Sequence, residues 1–256
     1  MEQLQRKLDF SGKTAIVTNA ANGVGFSIAT SLLKLGANVA ALGLEAGEWQ
    51  NFLSETTCPP KALFWETNLL HAPDIEQNLS SVVKQWGKID ILVCPSGTIH
   101  TDPFMETRAE DFDKIFDVNV KEIFLCNQAA LSFMIERRYG KIVNISSVAG
   151  KMGGGVLGST LYGSSMGAVI AMSKGIARET AAYSLNVNCV CAGPMDTDIT
   201  QKITLENREK ILNASLFKRF ADVQDITNTV LFLVSDHAKH ITSEIITVDG
   251  GITKGN

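Results

Sequence analysis

The sequence predicts an α/β fold built on one doubly wound parallel sheet, and three observations predict it. Short apolar runs without clean polar alternation recur along the chain, the pattern of strands covered on both faces. Longer stretches with helical apolar spacing separate them. No repeat, low-complexity tract or linker-like composition shift interrupts this alternation, so residues 1–256 read as a single domain. Repeated strand–helix alternation puts parallel strands in one sheet with right-handed crossovers.

Taken in order, Thr14–Thr18 reads as the first strand, followed by a glycine-containing turn and a helix over Phe26–Leu35. Asn38–Leu42 is the second strand and Ala62–Trp65 the third. Asp74, Glu76 and Gln77 mark the start of a helix over Ala72–Trp86. Ile89–Val93 is the fourth strand. One long helical stretch, Arg108–Arg137, follows and closes on Arg137-Arg138, where positive charge complements the helix dipole. Lys141–Ile145 is the fifth strand, leading through a Gly-rich segment to a helix over Leu161–Ala182. Val187–Cys191 is the sixth strand, and a short lobe over Thr197–Val223 precedes a helix at Gln224–Val234. Ile245–Val248 is the last strand. The result is a Rossmann-like, doubly wound sheet of about seven strands with helices on both faces. Its ligand crevice belongs at the carboxyl ends of the strands.

Composition narrows the function classes. Hydrophobic residues make up 45% and charged residues 20%, enough for a large core and against disorder. The net charge of −4 and the lack of a basic stripe argue against nucleic acid or an anionic membrane as partner. No apolar run reaches the ~18 residues of a membrane span, and Met1–Phe10 carries no signal-peptide core, so a cytoplasmic location is expected. Five cysteines form no CxxC pair, and Cys189 and Cys191 in a strand read as buried, inert thiols. His71, His100, His237 and His240 show no metal-ligand spacing, so no metal is expected. Trp49, Trp65 and Trp86 read as packing residues.

The turn after the first strand is Thr18-Asn19-Ala20-Ala21-Asn22-Gly23-Val24-Gly25. Glycines there let backbone N–H groups approach a pyrophosphate at a helix N-terminus. Asn119 stands in Asp117-Val118-Asn119-Val120, Ser147 ends Asn144-Ile145-Ser146-Ser147, and Tyr162 opens Tyr162-Gly163-Ser164-Ser165-Met166. Cys191-Ala192-Gly193-Pro194 with Thr197, and Val248-Asp249-Gly250-Gly251, follow the last two strands. On these motifs, across Leu8–Gly251, the chain resembles the short-chain dehydrogenase/reductase family. The resemblance implies that Gly23, Gly25, Gly97 and Thr197 fall on cofactor positions, and Ser147, Tyr162 and Asn119 on catalytic ones. In active members the Tyr gives or takes a proton as a hydride moves to or from nicotinamide. The Ser polarises the substrate oxygen, a Lys lowers the Tyr pKa and holds the ribose, and the Asn keeps a relay water in place.

This chain departs from that pattern where the chemistry sits. Met166 replaces the Lys. Asn19 replaces a Gly of the turn, Gly43-Leu44 stand where an acid reads the adenosine ribose, and Glu45 comes one to two residues late. Asn68 replaces the Asp after the third strand, and Cys94-Pro95 replace an Asn pair after the fourth. The connection from Ser147 to Tyr162 is two residues longer than usual, with the insertion in Lys151–Gly155. Tyr162 is therefore expected to be displaced from Ser147, and whether Lys151 substitutes for the missing Lys is left open.

On this pattern of losses the chain resembles the degenerate subunit of heteromeric members of the family, such as the 2-(hydroxy(phenyl)methyl)succinyl-CoA dehydrogenase of anaerobic toluene breakdown. That resemblance implies a non-catalytic chain binding no dinucleotide itself. NAD would sit in a homologous active subunit, in a heterotetramer acting on a β-hydroxyacyl-CoA. Met166→Lys alone is then expected to restore nothing, because the cofactor turn is altered too. Two alternatives stand beside it: an active NAD(P)-dependent dehydrogenase or 3-oxoacyl reductase of altered mechanism, and a ligand-binding or regulatory module in the old crevice.

Overall fold

Seven strands form one parallel sheet in the computed structural model, which describes residues 8–55, 61–95, 97–155, 158–196 and 204–254. They are β1 (Thr14–Thr18), β2 (Asn38–Gly43), β3 (Ala62–Glu66), β4 (Ile91–Pro95), β5 (Lys141–Ser147), β6 (Asn186–Ala192) and β7 (Ile245–Val248). Their spatial order is β3-β2-β1-β4-β5-β6-β7. The chain winds outward from β1 to β3, then returns to place β4 on the other side of β1. The order therefore reverses between β1 and β4, and a crevice opens there at the carboxyl ends.

Alternation along each strand divides the core into two layers. On one face Ala15, Val17 and Val39 pack under α1 (Gly23–Lys34) and a late helix over Val223–Val234, through Ile28, Leu32 and Val230. On the other, Ile16, Leu92 and Ile142 pack under α3 (Ala72–Trp86) and two longer helices described next. Cys94, Cys126, Cys189 and Cys191 are buried and free, as expected of packing thiols.

The predicted helix over Arg108–Arg137 is one continuous coil of two parts. These are α4 (Ala109–Phe116) and α5 (Glu122–Arg137), joined by a single wide turn over Asp117–Lys121. Such wide turns widen a helix locally and often mark functional positions; this one carries Asn119. The remaining helices are α6 (Ala149–Met152), α7 (Thr160–Glu179), α8 (Leu205–Ala214) and α9 (Val223–Val234). A short α2 (Glu48–Glu55) is absent from the sequence-based expectation. Its fully buried Trp49 packs against Phe26 and Phe52.

The fourth strand lies two residues later than predicted. Asp90 is almost completely buried at its entry, where it takes ion pairs from Arg137 at 3.0 Å and Lys88 at 3.3 Å. It also accepts the Thr14 N–H at 2.9 Å. Arg137 is thereby committed to the end of the sheet opposite the crevice. Among the described residues no helix is long and apolar enough to cross a membrane.

Candidate active site

A cavity of roughly 680 Å³ runs from the N-terminus of α1 to the ends of β5 and β6. Asn22, Gly23 and Val24 line one end, Ser147 and Tyr162 the middle, and Pro194 and Ile211 the far side. The turn at the α1 end keeps its shape despite Asn19. Asn19 adopts φ 48°, a left-handed conformation that Asn enters more readily than most residues. Gly25 packs α1 directly on that turn, since a Cβ there would collide with the Asn19 carbonyl. These features fit a pyrophosphate-binding turn.

The Asn19 side chain introduces something new beneath the turn. Its amide donates to Glu122 Oε2 at 3.1 Å and to the Pro95 carbonyl at 3.4 Å. Burial pushes the Glu122 carboxyl above the ordinary carboxylate range, and the Asn19 hydrogen bond offsets part of that rise. Sequence reading missed Glu122, because nothing in its spacing points to β1.

Asn119 is fully buried and uses its whole amide to tie segments together. Its Oδ1 accepts from the N–H groups of Gly97 (3.3 Å) and Thr98 (2.9 Å). Its Nδ2 donates to the Thr98 carbonyl (2.8 Å) and Ser165 Oγ (3.2 Å). This fixes the segment after β4 against α7. A second buried network, Asn127 to Asn144 (2.9 Å) to Ser173 (3.0 Å), pins α5 and α7 to β5.

Ser147 and Tyr162 meet. Both line the same cavity, and the Ser147 hydroxyl stands near enough to the Tyr162 phenol to favour its ionised form, so the expected displacement is corrected. The extra residues are absorbed by Gly153, Gly154 and Gly155, all at positive φ (78°, 129°, 149°), with Gly155 bridged to Gly158. Gly158 then lies against the Tyr162 ring, where any Cβ would clash. Ser146 Oγ donates to the Met166 carbonyl at 2.9 Å and locks α7 onto β5.

The charge beside the phenol is missing. Met166 is fully buried, behind the cavity wall rather than on it. Lys151 points elsewhere, its Nζ 3.2 Å from Thr247 Oγ1 on β7, so it does not stand in for the lysine. Burial raises the Tyr162 phenol above its usual value, and Ser147 offsets only part of the rise.

The other expected cofactor positions scatter. Gly97 lines the cavity, whereas Thr197 lies outside the described residues. Gly43 ends β2, and its carbonyl accepts Thr67 N–H at 2.8 Å. Asn68 is exposed and caps its own turn through Leu70 N–H at 3.0 Å. Cys94 is buried in the core beside Cys126, while Pro95 lines the crevice. Glu48 was missed: it opens α2, donates its N–H to the Ala21 carbonyl at 2.9 Å, and lines the cavity beside Asn22. No sequence signal precedes it, because α2 itself was not predicted.

Comparisons with known proteins agree with this geometry. A family model described as enoyl-(acyl carrier protein) reductase matches residues 19–253. The 3-oxoacyl-(acyl-carrier-protein) reductase FabG of Rickettsia typhi is 33% identical over 245 residues, covering 96% of this chain and 98% of that one. Its counterpart from Staphylococcus aureus is 34% identical over 242 residues, covering 94% and 98%. A solved structure from Agrobacterium tumefaciens, assigned as a gluconate dehydrogenase, superposes with a TM-score of 0.90 at 26% identity, covering 97% of this chain and 98% of that one.

These likenesses overturn the expectation that this chain binds no dinucleotide. Reductases match it end to end, the family match begins inside the phosphate turn at Asn19, and that turn and its crevice are formed here. Substitution at Asn19 and Gly43 left the crevice open.

Proposed function

The chain belongs to the short-chain dehydrogenase/reductase family, a family of oxidoreductases, and from that premise we propose that it binds a nicotinamide dinucleotide in its own crevice and interconverts a 3-oxoacyl and a 3-hydroxyacyl thioester by an altered proton transfer. The N–H groups at the start of α1 and the wall formed by Gly97 and Thr98 would hold the dinucleotide. Bound there, it supplies or accepts hydride. Glu48 stands at the nucleotide end, where a carboxylate repels a 2′-phosphate, so NAD is preferred over NADP.

The observation that carries this reading is the Ser147–Tyr162 hydroxyl pair in the cavity wall. Both hydroxyls donate hydrogen bonds to a substrate oxygen. In reduction, neutral Tyr162 delivers its proton to that oxygen, and it is neutral at physiological pH. In oxidation, Tyr162 must first lose its proton, which the missing cation makes harder. The chain is therefore biased toward the carbonyl-reducing direction near neutral pH.

The test is NADH titration of the purified chain, then turnover of an acetoacetyl thioester. Tyr162→Phe should cut the rate by about 10²- to 10⁴-fold and leave NADH affinity unchanged. A chain that binds no dinucleotide, or whose turnover survives Tyr162→Phe, would refute the reading.

A second reading is favoured by one observation, the buried thioether of Met166 in place of a cation. In it the chain serves as a non-catalytic partner of a homologous active subunit working on a β-hydroxyacyl-CoA, the aryl-substituted succinyl-CoA of anaerobic toluene breakdown among them. Exposed Phe112 and Phe124 on α4 and α5 would meet that subunit. Co-expression with a Tyr-x-x-x-Lys homologue, followed by assay with and without this chain, separates the two readings.

A further inference from the structure

His100 lies between β4 and α4 and is not among the residues that line the cavity. Its Nδ1 is 2.8 Å from Ser159 Oγ, and its carbonyl accepts Ser159 N–H at 2.7 Å. Only 9% of the side chain is exposed, and its Nε2 is buried with no hydrogen-bond partner. A buried polar atom left unpaired is unfavourable, so this nitrogen calls for an explanation. It faces Asp102 Oδ2 across 3.6 Å, beyond hydrogen-bond range. Asp111, in the first turn of α4, completes the group. One ligand atom from each of His100, Asp102 and Asp111 lies within 4.8 Å of the others.

We propose that His100 Nε2, Asp102 and Asp111 form a binding site for a divalent cation of the zinc type, with its remaining positions open to water. One imidazole and two carboxylates suit zinc better than magnesium, which prefers oxygen alone. Zinc ligands at about 2.0–2.1 Å from the metal stand about 3.4 Å apart in a tetrahedral site, so the three must draw in slightly. Asp102 can do this, because its side chain is 62% exposed. Asp111 is more committed. Its Oδ2 accepts from Arg108 N (3.0 Å) and Nε (3.3 Å), and its Oδ1 from Arg108 Nη2 (3.4 Å). The metal replaces the guanidinium at one of these oxygens, and the backbone N–H bond keeps the carboxylate in place.

The shell behind the imidazole is already built. With Nε2 on a metal, Nδ1 keeps its hydrogen and donates it to Ser159 Oγ, the arrangement that orients ligating histidines. Ser159 immediately precedes α7, three residues before Tyr162. Metal binding therefore ties the segment after β4 to the helix that carries Tyr162. The spacing of 100, 102 and 111 matches no metal signature, which is why the sequence does not announce the site.

The experiment uses tag-free, chelator-treated full-length protein titrated with Zn²⁺ alone by calorimetry at neutral pH. The expected result is one saturable site per chain, unaffected by millimolar Mg²⁺, with Tm rising as the site fills. Asp102→Asn and His100→Gln should each weaken zinc binding at least tenfold, and Arg108→Ala should leave it intact or tighten it. Because His100→Gln breaks the Ser159 contact and can disturb folding, the exposed Asp102→Asn serves as the independent variant. Absence of saturable zinc binding in the wild-type chain overturns the proposal. So does binding that Asp102→Asn and Asp111→Asn both leave unchanged.

Discussion

Placing a lysine at position 166 tests what the missing cation does to this site. Burial holds the Tyr162 phenol above its ordinary value near 10. At pH 7.5 an ordinary tyrosine is ionised about once in 300 molecules, and Tyr162 less often. Oxidation of a hydroxyl substrate needs the phenolate as base, so its rate rises about tenfold per pH unit below the Tyr162 pKa. An ammonium within ~4–6 Å lowers an acid's pKa by about 1–3. Position 166 lies one helical turn from Tyr162 on the same face, a rise of about 6 Å. Met166→Lys should therefore speed alcohol oxidation at pH 7.5 by about 10- to 1000-fold, or ~1.4–4 kcal/mol. Its pH–rate curve should move down by the same amount. Reduction at neutral pH, which uses the neutral phenol, should change far less. The substitution also has a structural cost. Met166 is fully buried, and an ammonium placed there without a carboxylate partner costs several kcal/mol. A fall in Tm of about 5–10 °C is expected for a domain of this size. The assay follows NAD-dependent oxidation of a 3-hydroxyacyl thioester across the alkaline range, beside a thermal melt. A folded Met166→Lys chain with an unaltered pH profile would refute the reasoning, because Tyr162 would then not be the proton acceptor. The sequence-based expectation that this change restores nothing rested on lost cofactor binding, and the same assay tests it.

Three other perturbations read separate parts of the site. Glu122 is neutral at low pH and becomes charged as pH rises through its raised pKa, placing an anion beneath the phosphate turn; NADH affinity should fall over that range in the wild type and stay flat in Glu122→Gln, which should bind about 3- to 10-fold tighter at pH 8. Calorimetry at two pH values checks this, and a pH-independent wild-type affinity would count against it. Asn119→Ala removes four hydrogen bonds and strands the Gly97 and Thr98 N–H groups, so a loss of about 2–4 kcal/mol is expected in denaturant unfolding; a loss under ~1 kcal/mol would mean that water replaces the amide. Gly25→Ala forces a Cβ into the Asn19 carbonyl, and NADH affinity should drop at least tenfold with the sheet intact by circular dichroism.

The fold was legible because its signals are local and repeated. Strands β1, β2, β4 and β6 each contain a buried run such as Ala15-Ile16-Val17 that is apolar throughout because both faces are covered. The errors lie where tertiary context decides. The fourth strand slipped because buried Asp90 and the closing Pro95 oppose local propensity, one held by Arg137 and the other tolerated at a strand end. Helix α2 is too short to show a period, and Trp49 gives no sign of being its anchor. In the site, residue identities were readable but their meeting was not. Two inserted residues suggested a displaced Tyr162, yet three glycines at positive φ form a loop that returns the chain to Ser147. The partners of Asn19 and His100 are distant in sequence and become neighbours only in the folded sheet.

The departures around the crevice share one electrostatic direction. Among the described residues the cavity is lined by two carboxylates, Glu48 and Asp196, and by no lysine or arginine. Met166 removes a cation from the catalytic end, and Glu122 adds a carboxyl beneath the turn. Among the described residues no cation lines the cavity, so a dinucleotide pyrophosphate would rest on the backbone N–H groups and dipole at the start of α1. Those dipoles are fixed by the fold, whereas the field of the carboxylates is screened by salt. Screening should weaken the repulsion more than it weakens hydrogen bonds made at contact. Affinity for the cofactor should thus hold or improve as ionic strength rises, the reverse of a site that grips phosphate with lysines. The same geometry explains why the scaffold survives while its chemistry drifts. Asn119, Asn144 and Ser146 hold the crevice open through buried hydrogen bonds that the substituted positions touch only at the Met166 backbone carbonyl and at Cys94 Sγ, which shares the Asn127 amide. Any side chain at position 166 keeps that carbonyl, so this hydrogen bond is indifferent to a change that the proton transfer is not.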